Sequence, residues 1–111
     1  MNELVQRLSD GEHPVTVGGP QPTLEELNKR ITVMRYVFIK FTGTRGGTDL
    51  GVRVDPDETD LSQANFEQGT GSVHIEGTLT LNYVKVRCIA DIDLATLNGT
   101  GNLVVLEEVH P

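Results

Sequence analysis

From Ser72 to Val109 apolar and polar residues alternate almost without a break. That period of two permits little except antiparallel strands. Val73, Ile75, Leu79 and Leu81 alternate with His74, Glu76, Thr78 and Thr80. After Asn82-Tyr83 the parity flips, so that Val84, Val86, Cys88, Ala90, Ile92 and Leu94 form the apolar set. A two-residue turn flips parity in this way, because the residues flanking it pair and point to one face. A bulge in one long strand would do the same. The hairpin is preferred, although Asn-Tyr is poor chemistry for such a turn. Further on, Asn98-Gly99 is a favoured type I′ pair, since both central residues need positive φ. It predicts a second hairpin, with Leu94 opposite Leu103 and Ile92 opposite Val105. The last strand then runs from Asn102 to Val109, and its Val104 and Leu106 leave the second face less than fully polar.

The upstream half adds a helix and two strands. Thr23-Leu24-Glu25-Glu26 has the form of a capping box, in which the Thr hydroxyl takes the Glu26 amide. Leu24, Leu27 and Ile31 follow on one face, which predicts a helix over Leu24 to Arg30. Thr32 to Thr42 is rich in β-branched and aromatic residues with apolar side chains on both parities, the pattern of a strand covered on both faces. Gly43 to Thr48 turns the chain, and Asp49 to Asp55 reads as the return strand. Pro56 to Gly71 is polar and long for a plain loop, so a helical turn is expected over Leu61–Phe66. Near the start, Asn2 to Asp10 predicts a short helix and Pro14 to Val17 a short extended piece. Gly18-Gly19-Pro20-Gln21-Pro22 can continue neither helix nor sheet.

These elements define an α+β fold: a single curved antiparallel β-sheet, a meander that tends toward a half-barrel, with one short covering helix and an N-terminal arm. The expected division is an arm and connector over residues 1–22 and one sheet domain over 23–111. The chain lacks Trp, so the core must come from Val, Leu and Ile, with few large aromatic pieces.

The formal net charge of −7 favours a protein partner with a basic surface over nucleic acid or an anionic membrane. Cys88 is the only cysteine and falls on the apolar parity, which suits a buried, inert thiol. The opening Met1-Asn2-Glu3 has no secretory pattern, and no apolar run approaches a membrane span. A cytoplasmic location is expected.

Five residues stand out as chemistry. If Asn82-Tyr83 is a turn, His74 faces Asp91, Thr78 faces Arg87, and Glu76 lies on the same face. His74, Glu76 and Asp91 would then be acid–base material, because a carboxylate can orient an imidazole and raise its pKa. The same pattern also describes an ordinary solvated sheet face with cross-strand charge pairs. Arg45 in the glycine-rich turn and Arg87 on the sheet are candidate ligand-binding cations. No set of ligands has metal spacing, and no cofactor is implied.

Two functions remain. The preferred one is a non-catalytic acidic accessory or interaction protein, a small subunit or inhibitor-like binder of a protein partner. The alternative is a barrel-like small-molecule binder or small enzyme using His74, Glu76 and Asp91. Exposed strand edges and the Val104/Leu106 pair also allow a homodimer.

Overall fold

The computed structural model describes residues 2–108. The element order is α1 (Glu3–Ser9), β1 (His13–Val17), α2 (Leu24–Lys29), a π-helical turn (Arg30–Met34), β2 (Tyr36–Phe41), β3 (Thr48–Val54), β4 (Ala64–Asn65), β5 (Thr70–Leu81), β6 (Val84–Asp93) and β7 (Asn98–Glu108). Among the described residues the strands form one sheet in the order β3-β2-β1-β7-β6-β5-β4, and β3 also pairs with β5. That extra pairing closes β1, β2, β3, β5, β6 and β7 into a ring. The half-barrel expected from the sequence is therefore a closed, antiparallel barrel with helices at its periphery.

The interior follows the period of two. Val37, Ile39, Val52, Ile75, Val86, Ile92 and Leu103 are wholly buried and belong to one apolar cluster that also takes Val5 and Leu8 of α1 and Leu27 of α2. Among the described residues no charged or polar one is buried with them. Each such side chain contributes about 1.5–3 kcal/mol through its removal from water.

The β5–β6 hairpin turns at Asn82-Tyr83, where both residues have positive φ (49° and 66°). Leu81 pairs with Val84, Thr80 with Lys85, Thr78 with Arg87 and His74 with Asp91. The next turn differs from expectation. The chain reverses at Leu94–Leu97, so that Asp93 faces Asn98 and Leu103 faces Cys88. The Asp93 carboxylate accepts the Ala95 amide at 2.8 Å, and Leu97 takes φ 62°. Asn98-Gly99 thus lies inside β7, paired with β6 on one side and β1 on the other. Val15 pairs with Gly99 and His13 with Gly101. A side chain at Gly99 would run into the Asp91 carbonyl. The displacement is an even number of residues, so Ile92, Leu94 and Leu103 still face the core. A bulge between Lys85 and Val86 shifts the far end of the β6–β7 ladder. The expected strand end at Val109 lies outside the described residues.

Three other segments differ from the sequence reading. The residues expected as an arm contribute α1, packed on β7, and β1, inserted between β2 and β7. The strand expected from Thr32 starts at Tyr36, because α2 runs on through the π-helical turn and stops at Arg35 in the left-handed region. The turn expected over Leu61–Phe66 is a single one, in which the Ala64 amide donates to the Leu61 carbonyl at 3.0 Å, and it does not continue as helix. Ala64 and Asn65 instead pair with Gly71 and Thr70 as the small strand β4.

Ring closure depends on one residue. β3 meets β5 only at Arg53–Thr78 and Val54–Gly77. A Cβ on Gly77 would run into the Arg53 carbonyl and would lie 2.6 Å from a Val52 methyl. Replacing Gly77 by Val is expected to cost about 1–3 kcal/mol by overpacking, read as a lower urea midpoint. Tyr83→Gly should raise the midpoint instead, because a non-glycine residue in the left-handed region costs about 1–2 kcal/mol.

Candidate functional site

The β5–β6 register carries His74, Glu76, Arg87 and Asp91 to one patch on the outer wall. His74 Nδ1 lies 2.8 Å from Asp91 Oδ1, and His74 Nε2 lies 2.7 Å from Glu76 Oε2. The other Glu76 oxygen accepts from Arg87 Nη1 at 3.4 Å. Arg87 also donates through both Nη atoms to Asp55 Oδ2 at 3.3 Å. The four sheet residues singled out by the sequence thus meet, and Asp55, at the end of β3, completes the network.

The loop after β3 holds this patch in place. Asp55 donates its amide to the Glu76 carbonyl at 2.8 Å. Asp60 and His74 exchange backbone hydrogen bonds at 2.9 and 3.1 Å. The Thr59 hydroxyl sits 3.3 Å from both the Glu76 carbonyl and the Glu76 amide. A polar loop with no apolar period gives no sequence signal for such pairing, which is why Asp55, Thr59 and Asp60 escaped prediction.

A neutral imidazole has one N–H, so it donates to only one carboxylate. The protonated ring donates to both. The Glu76 hydrogen bond is the main cause that raises the His74 pKa above its ordinary 6.5, with Asp91 adding to it and burial opposing it. Both ring nitrogens are then engaged by carboxylates. The patch is also open, with the Asp91 side chain 59% exposed. Nearby, hydrogen bonds from Ser62 hold the Asp60 carboxyl below the usual range.

The remaining candidates lie elsewhere. Arg45 is exposed in the β2–β3 turn, at the opposite end of β3 from Val54. Cys88 is buried, and burial pushes its thiol up to about 12. Such a thiol stays protonated and unreactive at neutral pH. Among the described residues no group of three or more His, Cys, Asp or Glu side chains is placed to hold a metal ion.

The barrel interior is filled with apolar side chains, and the charged groups described above lie on its outer wall. Residues 21–110 match the family model described as core binding factor beta subunit, and the chain belongs to that family. A subunit of this family is non-catalytic and binds a protein partner, so this chain is an accessory interaction protein. The match begins downstream of β1, leaving α1 and β1 outside it. No curated protein matches the chain.

The sign of the His74 linkage is testable. A raised folded pKa means that the ionic contacts of His74 stabilise the fold fully below the unfolded pKa of about 6.5. The contribution is lost as pH rises through the folded value. Proton NMR should place the His74 midpoint above 6.5. The stability gap between the parent and His74→Gln, from urea unfolding, should be wider in mild acid than in mild alkali.

Proposed function

We propose that the chain is an acidic accessory subunit whose outer β5–β6 face and adjoining loop hold a basic surface of its protein partner. The observation that carries this reading is where the carboxylates lie. Asp55, Asp57, Glu58 and Asp60 sit in one loop, and Glu76 and Asp91 stand beside it on the sheet. Arg87 and His74 are each tied to two of these carboxylates, which leaves the patch negative overall. The excess has the sign of the net charge of −7, and it works against nucleic acid and anionic membranes as partners. Complementary charge raises the association rate and selects among partners more than it adds affinity. A rigid barrel also suits a subunit, since little order has to be gained on docking.

An acid–base enzyme is the weaker reading of the same residues. Both His74 nitrogens are engaged, and the face is open to water rather than enclosed.

Affinity capture from the native extract tests the proposal. A partner should be retained by the full chain at low salt and released as salt rises toward about 0.5 M, where exposed charges are largely screened. Asp57→Lys with Glu58→Lys should reduce capture, since both residues are exposed and outside the core. Recovery of the chain alone, at every salt concentration, would overturn the partner reading.

A further inference from the structure

The edge of β5 can be followed residue by residue. β4 covers Thr70 and Gly71, and the Gln63 carbonyl accepts the Ser72 amide. Asp60 covers His74, and Asp55 covers Glu76. β3 then pairs with Gly77 and Thr78, and there the pairing stops. β5 continues to Leu81, and among the described residues β6 alone pairs with it there.

The facing edge of β3 is open over the same stretch. Hydrogen bonding alternates sides along an antiparallel strand. Val54 donates to Arg35 on the β2 side, whereas Asp55 donates to Glu76 on the β5 side. Arg53, Gly51 and Asp49 therefore present their backbone groups toward β5. Continued in register, Gly51 would face Thr80, but the two strands have already diverged. The gap is a cleft of about 590 Å³ between two unpaired strand edges. Unpaired edges are where extended chains add.

The rim of the cleft has its own chemistry. Arg53 and Lys85 line it, both exposed, and neither forms an ion pair among the described residues. Lys85 stands in register with Glu107 across β6–β7 without pairing to it. Asp49 is the one acid in the lining, and its carboxylate is already engaged by the Gly19 amide at 2.9 Å. Thr78, Thr80 and the Tyr36 hydroxyl add polar groups on the same outer side. Leu50, Leu79 and Leu81 lie on the inward side.

We infer that the β3–β5 seam accepts an extended segment of a protein partner in which acidic and apolar residues alternate. The inserted backbone bonds to Asp49 and Gly51 on one side and to Thr80 on the other. Its acidic side chains, on the outer face, meet Arg53 and Lys85. Its apolar side chains, on the inner face, cover Leu79 and Leu81. Gly51 keeps the outer side clear except for the movable tip of Tyr36. The inference rests on the chain being a partner-binding subunit, but it does not require the acidic patch to be the docking face.

The test titrates the isotope-labelled full chain with an acetylated Val-Glu repeat peptide of about eight residues, long enough to span the seam at about 3.3 Å per residue. Amide shifts should concentrate at Asp49, Gly51 and Thr80. The corresponding Val-Lys peptide should bind at least about tenfold more weakly, as should the Val-Glu peptide to the Arg53→Glu, Lys85→Glu variant. Retained amide dispersion in that variant shows that it is folded. Glutarate alone should give no comparable shifts at Gly51 and Thr80. Equal binding of both peptides, shifts elsewhere, or glutarate reproducing the peptide's effect would each overturn the inference. So would seam shifts that depend only on the concentration of the chain, since the occupant would then be a second copy. Extract capture separates this proposal from the preceding one. A partner lost in Asp57→Lys, Glu58→Lys but retained in Arg53→Glu, Lys85→Glu sinks the seam and leaves the acidic docking face standing.

Discussion

The barrel exists as a ring because β3 and β5 can touch, and they touch where Gly77 has no side chain. At that point the Arg53 carbonyl and a Val52 methyl occupy the space that a Cβ would need. Without this approach the sheet would end in two long free edges and the Val and Ile side chains between them would be wet. Glycine within a strand ordinarily weakens it, since it forfeits side-chain packing. Here the loss is local, and the gain is a shared interior in which Ile39, Val52, Ile75 and Ile92 are all dry. The closure is also minimal. Two residue pairs join β3 to β5, Asp55 extends the contact to Glu76, and toward Thr80 the strands part.

A filled interior places every polar group of consequence on the outside. The arrangement there depends on the register of the β5–β6 hairpin, which its two-residue turn sets. A slip of one residue would turn His74, Glu76, Arg87 and Asp91 toward the core and Ile75 and Cys88 toward water. The apolar face and the charged network are thus specified together, and the free energy of burying one positions the other. The network is stiff for a surface feature, because Asp55 and Asp60 are bound through their backbones to β5 as well as grouped there by charge.

Much of this was legible in the alternation alone. It showed the strands, their inward residues, and the meeting of His74 with Asp91. The Asn82-Tyr83 turn was readable only from the parity flip, since its residue types argue against it. The Asn98-Gly99 prediction failed for a tertiary reason. Turn propensity is local, whereas the pairing of β1 along β7 and the close approach of Gly99 to the Asp91 carbonyl of β6 are not. With residues 1–22 read as an arm, nothing in the sequence placed a strand against Gly99 and Gly101. The π-helical turn was hidden similarly, because Ile31 and Val33 carry β propensity although Thr32 bonds back to the Asn28 carbonyl at 2.7 Å, in helical fashion. The acidic patch was half visible. Its sheet residues followed from counting, whereas Asp55, Thr59 and Asp60 came from a loop with no periodic signal.

Net charge conceals how the signs are distributed. Along β5 the side facing the loop is acidic around Glu76, and the stretch toward Leu81 is flanked by Arg53 and Lys85. Lys85 stands opposite Thr80, four positions along the strand from Glu76 and about 13 Å away at the usual rise, whereas Arg53 stands opposite Thr78, two positions from it. The separation of Lys85 exceeds the screening length of about 8 Å at physiological salt. The acidic patch and the Lys85 end would therefore meet a partner as surfaces distinct in sign. A partner that offers a basic face to the first and an acidic strand to the second would be fixed in orientation as well as in position. Reversing it would set like charges together at both places, a penalty that an average of −7 spread evenly over the surface could not impose.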